Sequence, residues 1–290
     1  MATDRSIQGP STPERSCEEA RLSSEHLIGS GLTADVFSWE RERVLKLFFA
    51  WVDPEAIRQE LRVTQAVSNS GVPAPAAFEL LRIGQRFGIV FERVSGDTLV
   101  RQVEKRPWQL FGAARQLAKL HAHIHTYAAP DELPLQQKQL EHWIEQAKDC
   151  SESQKQMAKE RAAQLSTGRS LCHGDFHPGN ILLSSRGPVI IDWAGATKGH
   201  PMADVARTSV LFEHASLPPT VALHVRFLMK VARGFLHSTY LRTYLALRQG
   251  DRKELEFWRF AQRIAGSGWQ AKRDAALARI ERLRANGVLE

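Results

Sequence analysis

His173-Gly174-Asp175-Phe176-His177-Pro178-Gly179-Asn180 is the stretch on which the reading of this chain turns. Two short apolar runs follow it, Ile181-Leu182-Leu183 and Val189-Ile190-Ile191, joined by Ser184-Ser185-Arg186-Gly187-Pro188. Runs of that length around a Gly-Pro turn predict a β-hairpin. Asp192 closes the second run, so the hairpin would fix the separation between Asn180 at its entrance and Asp192 at its exit.

Upstream, Leu27-Ile28, Val36-Phe37 and Val44 to Phe48 read as short strands separated by glycine or charged turns. Pro54 opens a helix with Ile57, Leu61, Thr64 and Val67 at helical spacing, and Gly71-Val72-Pro73 stops it. Phe78 to Leu81 and Gly88 to Phe91 read as two more strands. After Gly96 the period becomes helical, with Leu110, Ala114, Leu117, Ala118, His121 and Ile124 on one face. A polar helical region is expected over 135–165. The chain from Met202 onward reads as helix, with Leu223, Phe227, Val231, Phe235, Leu241 and Leu245 as expected core positions. The layout is α+β: a small antiparallel sheet with one helix, then a larger, mostly helical lobe holding the hairpin. Expected boundaries are a disordered tail over 1–22, poor in large apolar groups, a first lobe over 23–93 and a second over 94–290.

Composition narrows the classes. The 290 residues are 43% hydrophobic and 24% charged, ordinary for a globular protein. No run approaches the roughly 20 apolar residues of a membrane helix, and the start carries no apolar signal core. No membrane partner is therefore expected. Cys17, Cys150 and Cys172 are too few and too scattered for a disulfide framework or a zinc site, which points to a reducing cytoplasm. The net charge of +7 gathers in the last 65 residues, with fourteen Lys/Arg against six Asp/Glu from Arg226 to Glu290. These basic residues are spread over helical stretches, with acids interleaved from Asp251 onward, so a solvated surface is favoured over a nucleic-acid face. Oligomeric state leaves no mark in the sequence.

The residue types in the quoted stretch suit phosphoryl transfer. A carboxylate such as Asp175 can orient an acceptor hydroxyl and take its proton. Mg²⁺ seeks oxygen ligands, and Asn180 and Asp192 would supply two of them from adjacent strand ends.

His-Gly-Asp-Phe-His-Pro-Gly-Asn-Ile-Leu followed by Ile-Asp-Trp resembles the aminoglycoside phosphotransferase and choline kinase family of the protein-kinase-like fold. The resemblance spans about residues 23–265. It implies a bilobal small-molecule kinase that uses ATP and Mg²⁺, with the choice between ATP and GTP left open. It makes Asp175 the catalytic aspartate, Asn180 and Asp192 the metal ligands, His173 the brace of the loop and Asp204 a structural aspartate. His177 is read as a loop histidine bonding backbone. Gly29-Ser30-Gly31-Leu32-Thr33-Ala34-Asp35-Val36 resembles a kinase glycine-rich loop with Ala34 in place of its third glycine; a plain Gly-Ser-Gly turn accounts for it equally well. Lys46, flanked by Leu45 and Leu47, matches the strand lysine that holds the α- and β-phosphates. Glu60 is its expected partner on the following helix, or else a solvated helix charge. Gly88 to Gly96 resembles the hinge, where Phe91 flanks adenine and the backbone of Glu92 and Val94 bonds it.

Asp192 is followed by Trp193-Ala194 where protein kinases have Phe-Gly, and the segment Gly195 to Asp204 is short. Both features favour a small hydroxyl-bearing acceptor over a protein. Its pocket is expected near Trp143 and Glu145 and near Glu254, Glu256, Phe257 and Trp258. Arg259 and Arg263 there weigh against a polycation. A non-catalytic scaffold on a kinase-like fold is the alternative, opposed by the joint presence of Lys46, Asp175, Asn180 and Asp192; a protein kinase is a third reading.

Overall fold

The structure is a computed structural model that describes residues 24–148, 150–164, 167–214, 223–248 and 251–285. The expected tail over 1–22, and Cys17 within it, lie outside the described residues. Close contacts divide the chain into two compact units. One holds the described residues up to Arg58 together with Ala77–Arg93, the other Gln59–Ala76 and the chain from Val94 onward.

The smaller unit is an antiparallel sheet in the order β1-β2-β3-β5-β4, formed by β1 (Leu27–Ser30), β2 (Ala34–Trp39), β3 (Arg43–Phe48), β4 (Ala77–Ile83) and β5 (Arg86–Glu92). Alternation places Phe37, Trp39, Leu45, Leu47 and Val90 in one buried cluster. Central β3 pairs with β2 and β5, Lys46 standing opposite Val36 and Ile89. Gly88 lets β5 pass over Leu45, where a Cβ would come within 2.7 Å of Leu45 Cδ1. Helix α1 (Pro54–Asn69) starts in this unit and continues into the larger one, where Val63 and Val67 join the core.

The larger unit is mainly helical: α2 (Leu99–Lys105), α3 (Leu110–Ile124), α4 (Gln136–Glu145), α5 (Glu152–Gln164), α6 (Pro201–His214), α7 (Leu223–Arg248) and α8 (Arg252–Ala285). The expected hairpin is present as β8 (Ile181–Ser184) and β9 (Gly187–Ile190), with Ile181 opposite Ile190. Two pairings had no sequence signal. The two-residue β6 (Asp97–Thr98) adds to β8 as a third strand, and β7 (Ser170–Cys172) pairs with β10 (Thr197–Gly199). Strands of two or three residues are too short to show a period. Leu117, Ile124, Leu171, Phe176, Ile181 and Trp193 belong to one core under the helices.

One expectation is overturned. Leu223, Phe227, Val231 and Phe235 are exposed rather than core. The face of α7 that enters the core carries Leu236, Tyr240 and Tyr244, while Leu241 and Leu245 pack partly against it. A spacing of four residues shows that a helix has an apolar stripe but not what the stripe faces. No helix among the described residues is long and apolar enough to cross a membrane.

Candidate active site

Asp175 sits on the loop between β7 and β8, and α6 holds that loop by its backbone. Asp204 Oδ2 accepts from His173 N at 2.6 Å and Oδ1 from Gly174 N at 2.9 Å. One turn on, Arg207 Nε donates to Gly174 O at 3.3 Å and Thr208 Oγ1 to Phe176 O at 3.0 Å. Positions i, i+3 and i+4 share a helix face, so one side of α6 grips the loop at His173, Gly174 and Phe176. Gly174 has φ +79°, and a Cβ there would lie 2.2 Å from Gly195 O. Both facts exclude a side chain.

The peptides around Asp175 are tied on both sides. Its N–H donates to His173 Nδ1 at 3.2 Å, and its carbonyl accepts from Asn180 Nδ2 at 3.0 Å. His173 Nε2 lies 3.1 Å from Ile191 O. The buried ring therefore carries its proton on Nε2 and accepts at Nδ1; burial lowers its pKa and keeps it neutral. One side chain thus joins the backbone at Asp175 to the residue preceding Asp192. Ile191 N also donates to Asn180 O at 2.9 Å, which sets the exit of β9 beside the entrance of β8. Asp192 is exposed, with the left-handed φ of 62° that a non-glycine residue seldom adopts. The next residue, Trp193, is buried, and its indole N–H donates to Ile190 O at 2.8 Å. His177 Nδ1 accepts from Gly179 N at 3.0 Å, while Nε2 lies 3.7 Å from Asp175 Oδ2, beyond hydrogen-bond range.

Behind the loop lies a polar network that the sequence did not reveal. Asp204 Oδ2 also accepts from His121 Nε2 at 3.0 Å and His125 Nε2 at 3.2 Å. The Nδ1 atoms of the two rings meet Tyr240 OH at 2.6 Å and Tyr244 OH at 2.7 Å. Histidines four apart at the end of α3 thus mesh with tyrosines four apart on α7. Burial works to raise the Asp204 pKa, but the histidine N–H donors outweigh it and hold the carboxyl well below its usual range. Burial and the neighbouring His125 lower His121 to about 4. Burial lowers His125 as well. One buried carboxylate is therefore surrounded by four N–H donors, two from rings and two from the loop. His121, His125 and Asp204 have the spacing of a metal site. With each Nδ1 accepting a tyrosine O–H, however, both Nε2 lone pairs are taken up by protons, and hydrogen bonding accounts for every ligand atom. Two polar pairs at i, i+4, each on the apolar face of its helix, were the available signal.

The remaining candidates are placed as follows. In the smaller unit, Gly29 pairs with Val36 and Ser30 with Asp35. Ser30 Oγ donates to Asp35 Oδ1 at 2.7 Å, and Gly31 N to Ala34 O at 2.8 Å, closing the β1–β2 turn. Lys46 is half-buried, with Nζ 5.4 Å from the Phe48 ring centre. Phe91 and Glu92 end β5, and Arg93 N donates to Glu42 O at 2.8 Å. In the larger unit, Glu60 is half-buried on α1, and Val94 opens the segment leading to β6. Of the expected acceptor residues, Glu145 pairs with Lys159 at 2.9 Å and Glu254 lies 3.4 Å from His200. Trp258 is a core residue that also lines a cavity of about 280 Å³ with Gln136, Arg169, Lys198 and His200. Arg259 pairs with Glu213 and Glu256, and Arg263 Nε donates to Glu213 at 3.0 Å.

Solved structures with similar backbones share this architecture. A thermostable mutant of aminoglycoside phosphotransferase APH(4)-Ia in its apo form superposes with a TM-score of 0.56 at 17% identity, over 89% of this chain and 92% of that one. A choline/ethanolamine kinase family protein from Mesorhizobium loti gives 0.53 at 14%, over 93% and 94%. Aminoglycoside phosphotransferase APH(3'')-Id from Streptomyces rimosus, in complex with ADP and streptomycin, gives 0.50 at 18%, over 88% and 99%. No curated protein matches the sequence. The sequence does match the phosphotransferase enzyme family over residues 26–258. A braced His-Gly-Asp loop ahead of a hairpin, on a protein-kinase-like fold, therefore belongs here to a member of the phosphotransferase enzyme family.

Proposed function

We propose that the chain transfers the γ-phosphate of ATP to a hydroxyl of a small molecule, with Asp175 orienting that hydroxyl and receiving its proton. The supporting observation is the bonding of Asp175 through both of its own peptide groups, which leaves a half-buried carboxylate on a backbone tied on either side. Positioning of that kind is most of what phosphoryl transfer asks of a protein. His173 and Asp204 act in support, holding the loop by its backbone.

The donor chemistry fits Mg²⁺. Asn180 spends its Nδ2 on Asp175 O, so the outer end of its amide is the oxygen, and Asp192 adds a carboxylate from the neighbouring strand end. When bound, the ion would offset charge on the phosphates. On the nucleotide side, the backbone of Gly29, Ser30 and Gly31 would cover the phosphates. Lys46 would hold them, with Glu60 as its partner. Phe91 would lie along the base, and the backbone of Glu92 and Val94 would bond its edge. Nothing in these roles separates ATP from GTP. Residues 23–93 would form the nucleotide lobe and 94–290 the catalytic and acceptor lobe, in a cytoplasmic enzyme.

The acceptor is defined by its hydroxyl. Arg259 and Arg263 are offset by Glu213 and Glu256, so the basic balance of the C-terminal part does not carry over to that spot. ADP with streptomycin, bound by one structural neighbour, is a precedent for this class of acceptor. The test is a labelled-phosphate screen with ATP and Mg²⁺ against aminoglycosides, macrolides, amino alcohols, sugars and vitamin alcohols. Asp175→Ala should lower transfer by about 10²–10⁴-fold and leave nucleotide affinity in place. Undiminished transfer by that variant would remove the role given to Asp175.

A further inference from the structure

The stripe of α7 that turns away from the core is unusual for a protein surface. Leu223, Phe227, Val231 and Phe235 are 77, 68, 38 and 53% exposed, and Leu228 beside them is 67% exposed. The stripe does not end with its helix. The Phe235 ring meets Phe111 of α3 edge-on at 6.2 Å, and Phe111 is itself 47% exposed. Trp108, in the short turn before α3, is 76% exposed. Two helices packed against each other thus present one apolar surface with aromatic rings on both, well beyond the isolated apolar residues of an ordinary surface.

The charged side chains of the two helices have one sign. Neither α3 nor α7 contains an aspartate or glutamate. Arg115 and Lys119 follow Phe111 at intervals of four and are exposed, so they continue its stripe. On α7, Arg226 and Lys230 are exposed beside Phe227.

We infer that this face docks on an anionic lipid bilayer, with α3 and α7 lying in the plane of the surface. Leu223, Phe227, Leu228 and Phe235 would enter the boundary between headgroups and acyl chains, Trp108 would sit at headgroup level, and the Arg and Lys side chains would meet acidic headgroups. A second copy is a poor occupant, because a two-fold contact would set an all-basic face against itself. Nucleic acid would satisfy the charges but offers nothing to Leu223, Leu228 and Val231. A bilayer supplies both layers. This is attachment without a span, and it departs from the expectation of no membrane partner.

The test is co-sedimentation of the full chain with phosphatidylglycerol–phosphatidylcholine vesicles and with phosphatidylcholine vesicles alone. Binding should be at least about tenfold stronger to the anionic vesicles and should weaken with salt. Arg226→Gln and Lys230→Gln should each cost about fivefold. The pair Phe227→Ser with Leu228→Ser should cost about tenfold or more. Trp108→Ala, on a separate element, should also weaken binding. The unfolding temperature of each variant should match the parent, because none of these side chains is in the core. No pelleting with anionic vesicles, or equal pelleting with both kinds, overturns the inference. So does self-association that the serine pair abolishes, or nucleic-acid binding that the serine pair leaves intact.

Discussion

The loop at 173–180 and the turn between β1 and β2 are both short, glycine-bearing and polar, yet they are held in opposite ways. The loop is bonded to α6 at His173, Gly174 and Phe176, and the Asp204 behind it is tied to α3. The β1–β2 turn is held by neighbours in its own sheet: Gly31 to Ala34, Phe49 to Thr33, and Ser30 to Asp35. The bonds from α6 to the first span 30 or more residues of sequence, whereas those that close the second span 16 or fewer, with Arg86 reaching Asp35 from β5 of the same sheet. A change in a distant helix can therefore damage the loop, whereas damage to the turn comes from changes within its own sheet.

The strongest way to break this contrast is Asp204→Ala. It strands three buried N–H donors and a fourth that is partly buried, and should cost about 3–5 kcal/mol in urea denaturation, with transfer lost although no proposed reacting group is touched. A variant as stable and active as the parent would mean that the loop holds itself.

Acid comes next. His121 is neutral when folded, with a pKa near 4 against an ordinary 6.5. Between those values the unfolded chain binds the proton and the folded chain does not, so stability falls as pH falls through that window. His121 alone accounts for about 3 kcal/mol, fully lost below about pH 4. His125 and His173, also lowered, add losses of the same sign. Asp204, whose pKa is depressed, begins to contribute to the loss only below its ordinary 3.8. Denaturation midpoints at about pH 7 and about pH 4.5 measure the effect; equal midpoints would place protons on the folded histidines.

The smallest effect sharpens the contrast most. Gly174→Ala forces a side chain into left-handed backbone and against Gly195 O, costing about 2 kcal/mol or more, with a loss of transfer. Gly31→Ala finds Ala34 O at an ordinary 3.4 Å and should stay within about 0.5 kcal/mol. Thermal unfolding of the two variants side by side decides it.

What could be read from the sequence follows the same division. The hairpin, the strand around Lys46 and the loop carrying Asp175 and Asn180 were legible because their signals sit within a few residues. Asp204 was found only by resemblance. His125, Arg207, Thr208, Tyr240 and Tyr244 were missed because what joins them to the loop spans tens of residues, up to 119 for each histidine–tyrosine pair. The direction of the α7 stripe was missed for a related reason: periodicity fixes angles around one helix, and the core is defined only by what packs beside it.

The histidine and tyrosine pairs also govern what kind of change this chain can absorb. Each pair spans little more than one helical turn, and one added residue rotates everything after it by about 100°. An insertion among Ala122, His123 and Ile124, or among Leu241, Arg242 and Thr243, would keep one ring–hydroxyl bond and carry the other away from its partner. A substitution elsewhere on these helices leaves the pairing in register, but the number of residues between the paired side chains is fixed. In these two segments descent is constrained in length more tightly than in composition.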